Sequence, residues 1–152
     1  MKKRIVVLSI VAIVLSVNYT LAETKATPAE KARENLENYF KAWDEPDAVK
    51  REAILNPSWA ENGTYTDPTV HVAGRDALVA HIEGFASGGQ TKTMSIVRTT
   101  GVDFHHRSFR FGWEMQNASG KTLTPGFDYG EFNDEGQITK IVGFFGPMPK
   151  MK

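Results

Sequence analysis

Asp128 stands on a predicted strand between Phe127 and Tyr129, and Asp67 immediately precedes Pro68 in the run Tyr65-Thr66-Asp67-Pro68. A carboxyl on an inward strand face must find a partner or hold a proton. Asp before Pro is also a common turn starter, so turn chemistry alone accounts for Asp67 equally well. Tyr39 lies on the apolar face of a predicted helix, where a tyrosine is more often core than donor. Carboxyls and phenols can nevertheless run proton chemistry without a cofactor. Taking a proton from beside a carbonyl needs a carboxylate base and donors that hold the oxyanion. A carboxylic acid donates only while protonated, and an apolar pocket keeps it so by penalising the charged form. His71, His81, His105 and His106 invite a metal. Adjacent strand residues point to opposite faces, which sets His105 and His106 apart. No helix carries a His-x-x-x-His pair, so no metal site is expected. There is no cysteine, which excludes disulfides, thiolate catalysis and iron–sulfur sites. Phosphate loops, nucleophile elbows and dinucleotide fingerprints are absent as well.

The elements that must position these groups read as helices first and strands later. Thr27-Pro28-Ala29-Glu30 is a capping box with Pro at the first helical position, so a helix starts at Pro28, with Leu36, Tyr39, Phe40 and Trp43 on its buried face. Asp44-Glu45-Pro46-Asp47 separates it from a second helix, which Asn56-Pro57 is expected to end. Trp59 to Tyr65 is extended, Val70–Val72 a short strand, and Arg75–Phe85 a third helix bearing Leu78, Ile82 and Phe85 on one side. Four strands then follow, Thr91–Thr100, Val102–Gln116, Lys121–Asn133 and Gln137–Gly146, with glycine-containing turns at Asn117–Gly120 and Asn133–Gly136. Phe109, Phe111, Trp113 and Met115 alternate and share one face, with His106, Ser108 and Arg110 on the other. Helices followed by a long antiparallel sheet make an α+β domain.

The 152 residues allow one domain after a leader, and 41% hydrophobic with 24% charged residues is an ordinary globular balance. Met1–Ala22 has the three parts of a cleavable signal peptide. Lys2-Lys3-Arg4 is its charged start, Ile5–Val17 its apolar run, and Thr20-Leu21-Ala22 its cleavage site. The expected organisation is therefore 1–22 signal peptide, 23–27 short extension, 28–147 domain and 148–152 tail. The mature chain is expected to be periplasmic or secreted, with no membrane association after leader cleavage. The full chain has 18 basic and 18 acidic residues, and the three basic residues of the leader are lost with it. The acidic remainder offers no footprint for nucleic acid.

An ordered set of motifs resembles the nuclear transport factor 2-like superfamily, in its SnoaL-like cyclase and ketosteroid isomerase branches. The set comprises Tyr39-x-x-Ala42-Trp43, then Trp59-Ala60-Glu61-Asn62-Gly63-Thr64-Tyr65-Thr66-Asp67-Pro68, then Gly74 before the third helix. It ends with Gly126-Phe127-Asp128, Asn133-Asp134-Glu135-Gly136-Gln137-Ile138 and Gly143-Phe144-Phe145-Gly146. The resemblance spans about residues 28–146. It implies a cone, with three helices packed in a strongly curved antiparallel sheet and an apolar pocket at the open end. It also implies that Tyr39, Asp67 and Asp128 match the isomerase branch's tyrosine donor, general base and second acid. Ile82 stands where that branch has a supporting tyrosine. The inward candidates are Trp43, Trp59, Ile82, Phe85, Phe111, Trp113, Met115, Phe132 and Phe145, and His81 faces the pocket mouth as a possible acid/base group.

Three functions fit this picture. The first is a cofactor-free isomerase, cyclase or lyase acting on a small apolar carbonyl compound, with Asp67 shuttling the proton and Tyr39 and Asp128 stabilising the oxyanion. Which aspartate is base and which is acid stays open at this point. The second is a binding or carrier protein for a small apolar molecule. The third is an assembly domain that forms a homodimer through its outer sheet face. The superfamily hosts all three classes.

Overall fold

The computed structural model describes residues 25–87 and 93–151. The leader therefore lies outside the described residues. Helix α1 (Pro28–Asp44) starts where its cap is written. Glu30 N donates to Thr27 Oγ1 at 3.2 Å, and Thr27 N donates back to Glu30 Oε2 at 2.7 Å. Two amide donors at the helix start are thus satisfied reciprocally. Its inner face buries Ala32, Leu36, Tyr39 and Ala42. The buried Asn35 reaches out of that face and donates from Nδ2 to Gly136 O at 2.8 Å.

Helix α2 (Ala48–Ser58) is capped by Asp47, whose Oδ1 accepts from Lys50 N at 3.0 Å. It runs through Asn56-Pro57, the expected stop, to Ser58. Proline loses only one amide donor when it falls in a last turn. The turn is closed by other groups: Ser58 Oγ donates to Ile54 O at 2.9 Å, and Trp59 N–H donates to Leu55 O. Arg51 of α2 is fully buried. It pairs through Nη1 with Glu83 and donates from Nη2 to Glu45 O at 2.7 Å, tying α2 to α3 (Arg75–Ser87) and to the C-cap of α1.

The strands are β1 (Trp59–Thr66), β2 (His71–Ala73), β3 (Met94–Arg98), β4 (Asp103–His105), β5 (Ser108–Asn117), β6 (Thr122–Phe132) and β7 (Ile138–Phe145). They form one curved, unclosed sheet in the order β2-β1-β7-β6-β5-β3, with β4 added beside β5. Among the described strands, β1 and β7 are the one parallel pair. The single strand expected over Val102–Gln116 is a hairpin instead. His106 takes a φ of 52°, in the left-handed region, and turns β4 back onto β5. The rings of His105 and His106 meet edge-on, with centroids 5.7 Å apart.

Phe109, Phe111 and Trp113 of β5 are buried and face the helices, whereas Arg110 is exposed and pairs with Asp103 at 3.0 Å. The large inner rings fit because β6 offers glycine beneath them. A β-carbon at Gly126 would lie 2.1 Å from the Trp113 ring, and one at Gly130 would lie 2.2 Å from the Phe109 ring. On the outer face Phe127 and Phe144 stand directly opposite each other across β6 and β7, 39% and 55% exposed.

Candidate functional site

A cavity of about 210 Å³ opens between the helices and the inner face of the sheet. Helix α1 supplies Tyr39, Phe40 and Trp43, and α3 supplies His81 and Phe85. Ile96, Phe111, Trp113 and Met115 come from β3 and β5, and Phe145 comes from β7. The polar wall consists of Tyr65, Asp67 and Thr69 at the end of β1, and Asp128 in the middle of β6.

Asp128 is only 6% exposed. Its Oδ1 accepts a hydrogen bond from Trp113 Nε1 at 2.7 Å. Its Oδ2 accepts none among the described residues. Burial pushes its pKa up to about 7; the Trp113 bond pulls the other way, and the charge of Asp67 adds to the rise. Gly143 is the partner of Asp128 across β6 and β7. A β-carbon there would lie 3.1 Å from Asp128 Oδ1 and 3.6 Å from Asp67 Cβ. The two carboxyl-bearing residues thus flank one glycine, and any larger residue would crowd the Asp128 carboxyl.

Asp67 is held quite differently. Its Oδ1 accepts from Thr69 N at 2.6 Å, Thr69 Oγ1 at 2.7 Å and Val70 N at 3.0 Å. Its Oδ2 accepts from Tyr65 Oη at 2.9 Å. Burial is the largest single influence on Asp67 and pushes its pKa up, but the hydrogen bonds together outweigh it and hold the carboxyl below its ordinary value. One carboxyl is therefore kept ionised while the other titrates near neutrality, the pattern of a divided acid/base pair. Burial also raises the Tyr39 phenol well above its ordinary value, with Tyr65 and both carboxyls adding and the Trp43 side chain opposing. Tyr39 remains a neutral hydroxyl at any working pH. Among the described residues no group of three or more His, Asp or Glu side chains could hold a metal ion.

No family model and no curated protein sequence matches the chain. Solved structures do. A candidate isomerase of the SnoaL-like family from Agrobacterium tumefaciens is 29% identical over 77% of this chain and 98% of its own, with a TM-score of 0.68. A candidate SnoaL-like polyketide cyclase from Jannaschia is 15% identical over 80% of this chain and 90% of its own, with a TM-score of 0.57. SalBIII, an epoxide hydrolase/cyclase-like enzyme of pyran ring formation in salinomycin, is 19% identical over 76% of this chain and 91% of its own, at 0.55. The chain has the fold of the SnoaL-like, nuclear transport factor 2-like superfamily. Its α+β architecture is the one the sequence motifs imply.

Within this SnoaL-like fold, Tyr39, Asp67 and Asp128 all reach one cavity, together with Trp43, His81, Phe85, Phe111, Trp113, Met115 and Phe145. Three residues expected in the pocket do not line it. Trp59 is sealed beneath Tyr39, with the rings stacked 5.7 Å apart. Ile82 is fully buried in the core, and Phe132 packs with Phe104 away from the cavity. All three are buried in the core rather than on the cavity wall. The sequence reading missed Tyr65, Phe40, Thr69 and Ile96 as cavity residues. Strand alternation carried the signal for Tyr65, because residues two apart share a face and Asp67 follows at that spacing. Phe40, beside Tyr39 on α1, meets the Phe111 ring edge-on at 4.9 Å.

Proposed function

We propose that this SnoaL-like protein is a cofactor-free isomerase or cyclase that moves a proton on a small apolar carbonyl compound, with Asp128 as the proton shuttle. The observation that carries this reading is the state of Asp128. It is a buried carboxyl on the cavity wall with one oxygen anchored by Trp113, the other without a partner among the described residues, and a pKa raised to about 7. A base poised near the working pH combines adequate ionisation with adequate driving force. Trp113 fixes the carboxyl's rotation, so Oδ2 is the oxygen that takes the proton from the carbon beside the carbonyl and returns it elsewhere. The neutral Tyr39 hydroxyl is the donor for the enolate oxygen. Asp67 is the weaker candidate for shuttle, because four donors occupy its oxygens. This exchanges the roles that the isomerase resemblance implies for the two acids.

The test is solvent deuterium exchange into a panel of one- and two-ring enolisable ketones, followed by NMR. Wild-type protein should exchange the α-hydrogens of at least one compound, and Asp128→Asn should lose that activity while keeping its fold. Equal exchange by both proteins would remove Asp128 from the chemistry. The aromatic walls also favour a second reading, a carrier of an apolar ligand in which proton transfer plays no part. In that case Asp128→Asn would bind the same compounds undiminished and the wild type would exchange none. Export by the leader belongs to either reading. It predicts that the mature chain begins at residue 23, which N-terminal sequencing of protein secreted by a bacterial host would check.

A further inference from the structure

The cavity wall is unbalanced in charge. Among the described residues it carries two carboxyls, Asp67 and Asp128, but no lysine or arginine, and His81 is the one basic side chain. A ligand with a carboxylate or phosphate would face both acids at low dielectric with no cation to receive it. Asp67 is also built to stay charged, because Thr69, Val70 and Tyr65 donate to it. Its Oδ2 takes only one of those bonds and retains room for another donor. The Tyr65 ring that holds it belongs to an aromatic cluster. Trp43 lies 5.9 Å from Tyr65 and 5.6 Å from Phe85, between ring centroids. Aromatic faces attract cations, more strongly when water is excluded. Deeper in the same cavity, the buried Asp128 keeps one oxygen without a partner among the described residues.

We propose that the compound this cavity takes carries a protonated amine on a one- or two-ring skeleton, its ammonium against Asp67 Oδ2 and its ring between Trp43, Phe85 and Phe111. The inference rests on reading the cavity as a small-molecule site and adds what the molecule must be. A volume of about 210 Å³ sits below the usual range for ligand pockets and excludes a large polycyclic skeleton. Asp67 then has a task distinct from that of Asp128. It anchors the charged end of an amino ketone while Asp128 works on the carbon beside the carbonyl.

Three compounds of one shape test this on the unmodified protein: 2-aminoindane, indan-2-ol and indane-2-carboxylate, each titrated at pH 7.5 by calorimetry or by tryptophan fluorescence. The amine should bind about tenfold more tightly than the alcohol, an ion-pair-sized difference of roughly 1.4 kcal/mol. The carboxylate should bind more weakly than either. Asp67→Asn, which keeps an acceptor oxygen for the turn, should bring the amine down to the affinity of the alcohol. Alcohol and amine of equal affinity, or a carboxylate that binds most tightly, would overturn the inference and leave the cavity standing as a ligand site. Failure of all three to bind would overturn both. The comparison among wild-type titrations stands by itself should Asp67→Asn not fold.

Discussion

The two carboxyls differ because of their immediate donors, and single substitutions of those donors should move them separately. Trp113→Phe removes the one hydrogen bond that lowers the Asp128 pKa, so that pKa should climb above about 7. If Asp128 must be ionised to act, the ascending limb of the pH–rate profile then shifts to higher pH, and the plateau falls because the carboxyl loses the bond that fixes its rotation. A profile that stays in place in the variant would mean that another group controls the limb. Asp128→Asn should cost roughly 10²–10⁴-fold in rate, the usual contribution of a positioned base. Tyr65→Phe acts on the other acid. It removes one of the bonds holding Asp67 ionised, so the Asp67 pKa should rise, readable from its carboxyl carbon shift by NMR.

At the scale of elements, the site depends on a strand without a side chain. Gly143 has no unusual backbone angle, so alanine is conformationally acceptable there. Its β-carbon would nevertheless lie 3.1 Å from Asp128 Oδ1. Gly143→Ala should therefore push the carboxyl off Trp113 and depress activity at least tenfold with little change in melting temperature. An unaffected rate would show that the carboxyl has slack the packing does not reveal. The capping box makes a contrasting prediction, since it is far from the cavity. Thr27→Ala should cost about 1 kcal/mol of stability by denaturant titration, with no effect on activity. That cap was plain in the sequence, as were the inward row on β5 and the turn at Asn133–Gly136, because each is a local pattern with a local cause. Pro57 and His106 misled because they depend on what closes around them. Ser58 and Trp59 close the last turn of α2, and the packing of β4 on β5 sustains a positive φ in a histidine. The cavity was legible only in outline. Strand alternation and helical periodicity tell which face Trp59, Ile82 and Phe132 occupy, but depth behind that face is set by residues distant in sequence. Gly143 could not be singled out at all, because its importance lies in the register that brings it between Asp128 on β6 and Asp67 at the end of β1.

For the whole molecule, pairing through the outer sheet face comes down to Phe127 and Phe144. The neighbouring outward charges, Lys140 with Glu131 and Arg110 with Asp103, already have partners within the chain. A second copy laid on this face would cover both rings; Glu114, held by Gln116 and Thr122, is an outward charge there with no ion-pair partner among the described residues. Sedimentation at tens of micromolar should give twice the chain mass for wild type and the single mass for Phe144→Glu. A wild-type monomer would retire the idea. The cavity imposes a second property on the entire fold, its response to pH. Asp128 has a folded pKa near 7 against an ordinary value of 3.8, so folding is aided by its protonation. That contribution is complete below about pH 4 and is lost as pH rises through 7, on the order of 4 kcal/mol at the upper bound. Asp67 has the opposite sign. Its lowered pKa contributes stability above its ordinary range, which is lost as the solution is acidified. The two slopes cross between them, so wild-type melting temperature should peak in mildly acid solution and fall towards pH 8. Asp128→Asn cannot ionise and should lose the alkaline fall while keeping the acid one. Parallel curves for the two proteins between pH 5 and 8 would mean that Asp128 is as easily ionised in the fold as in the open chain, and the proton shuttle would lose its physical basis.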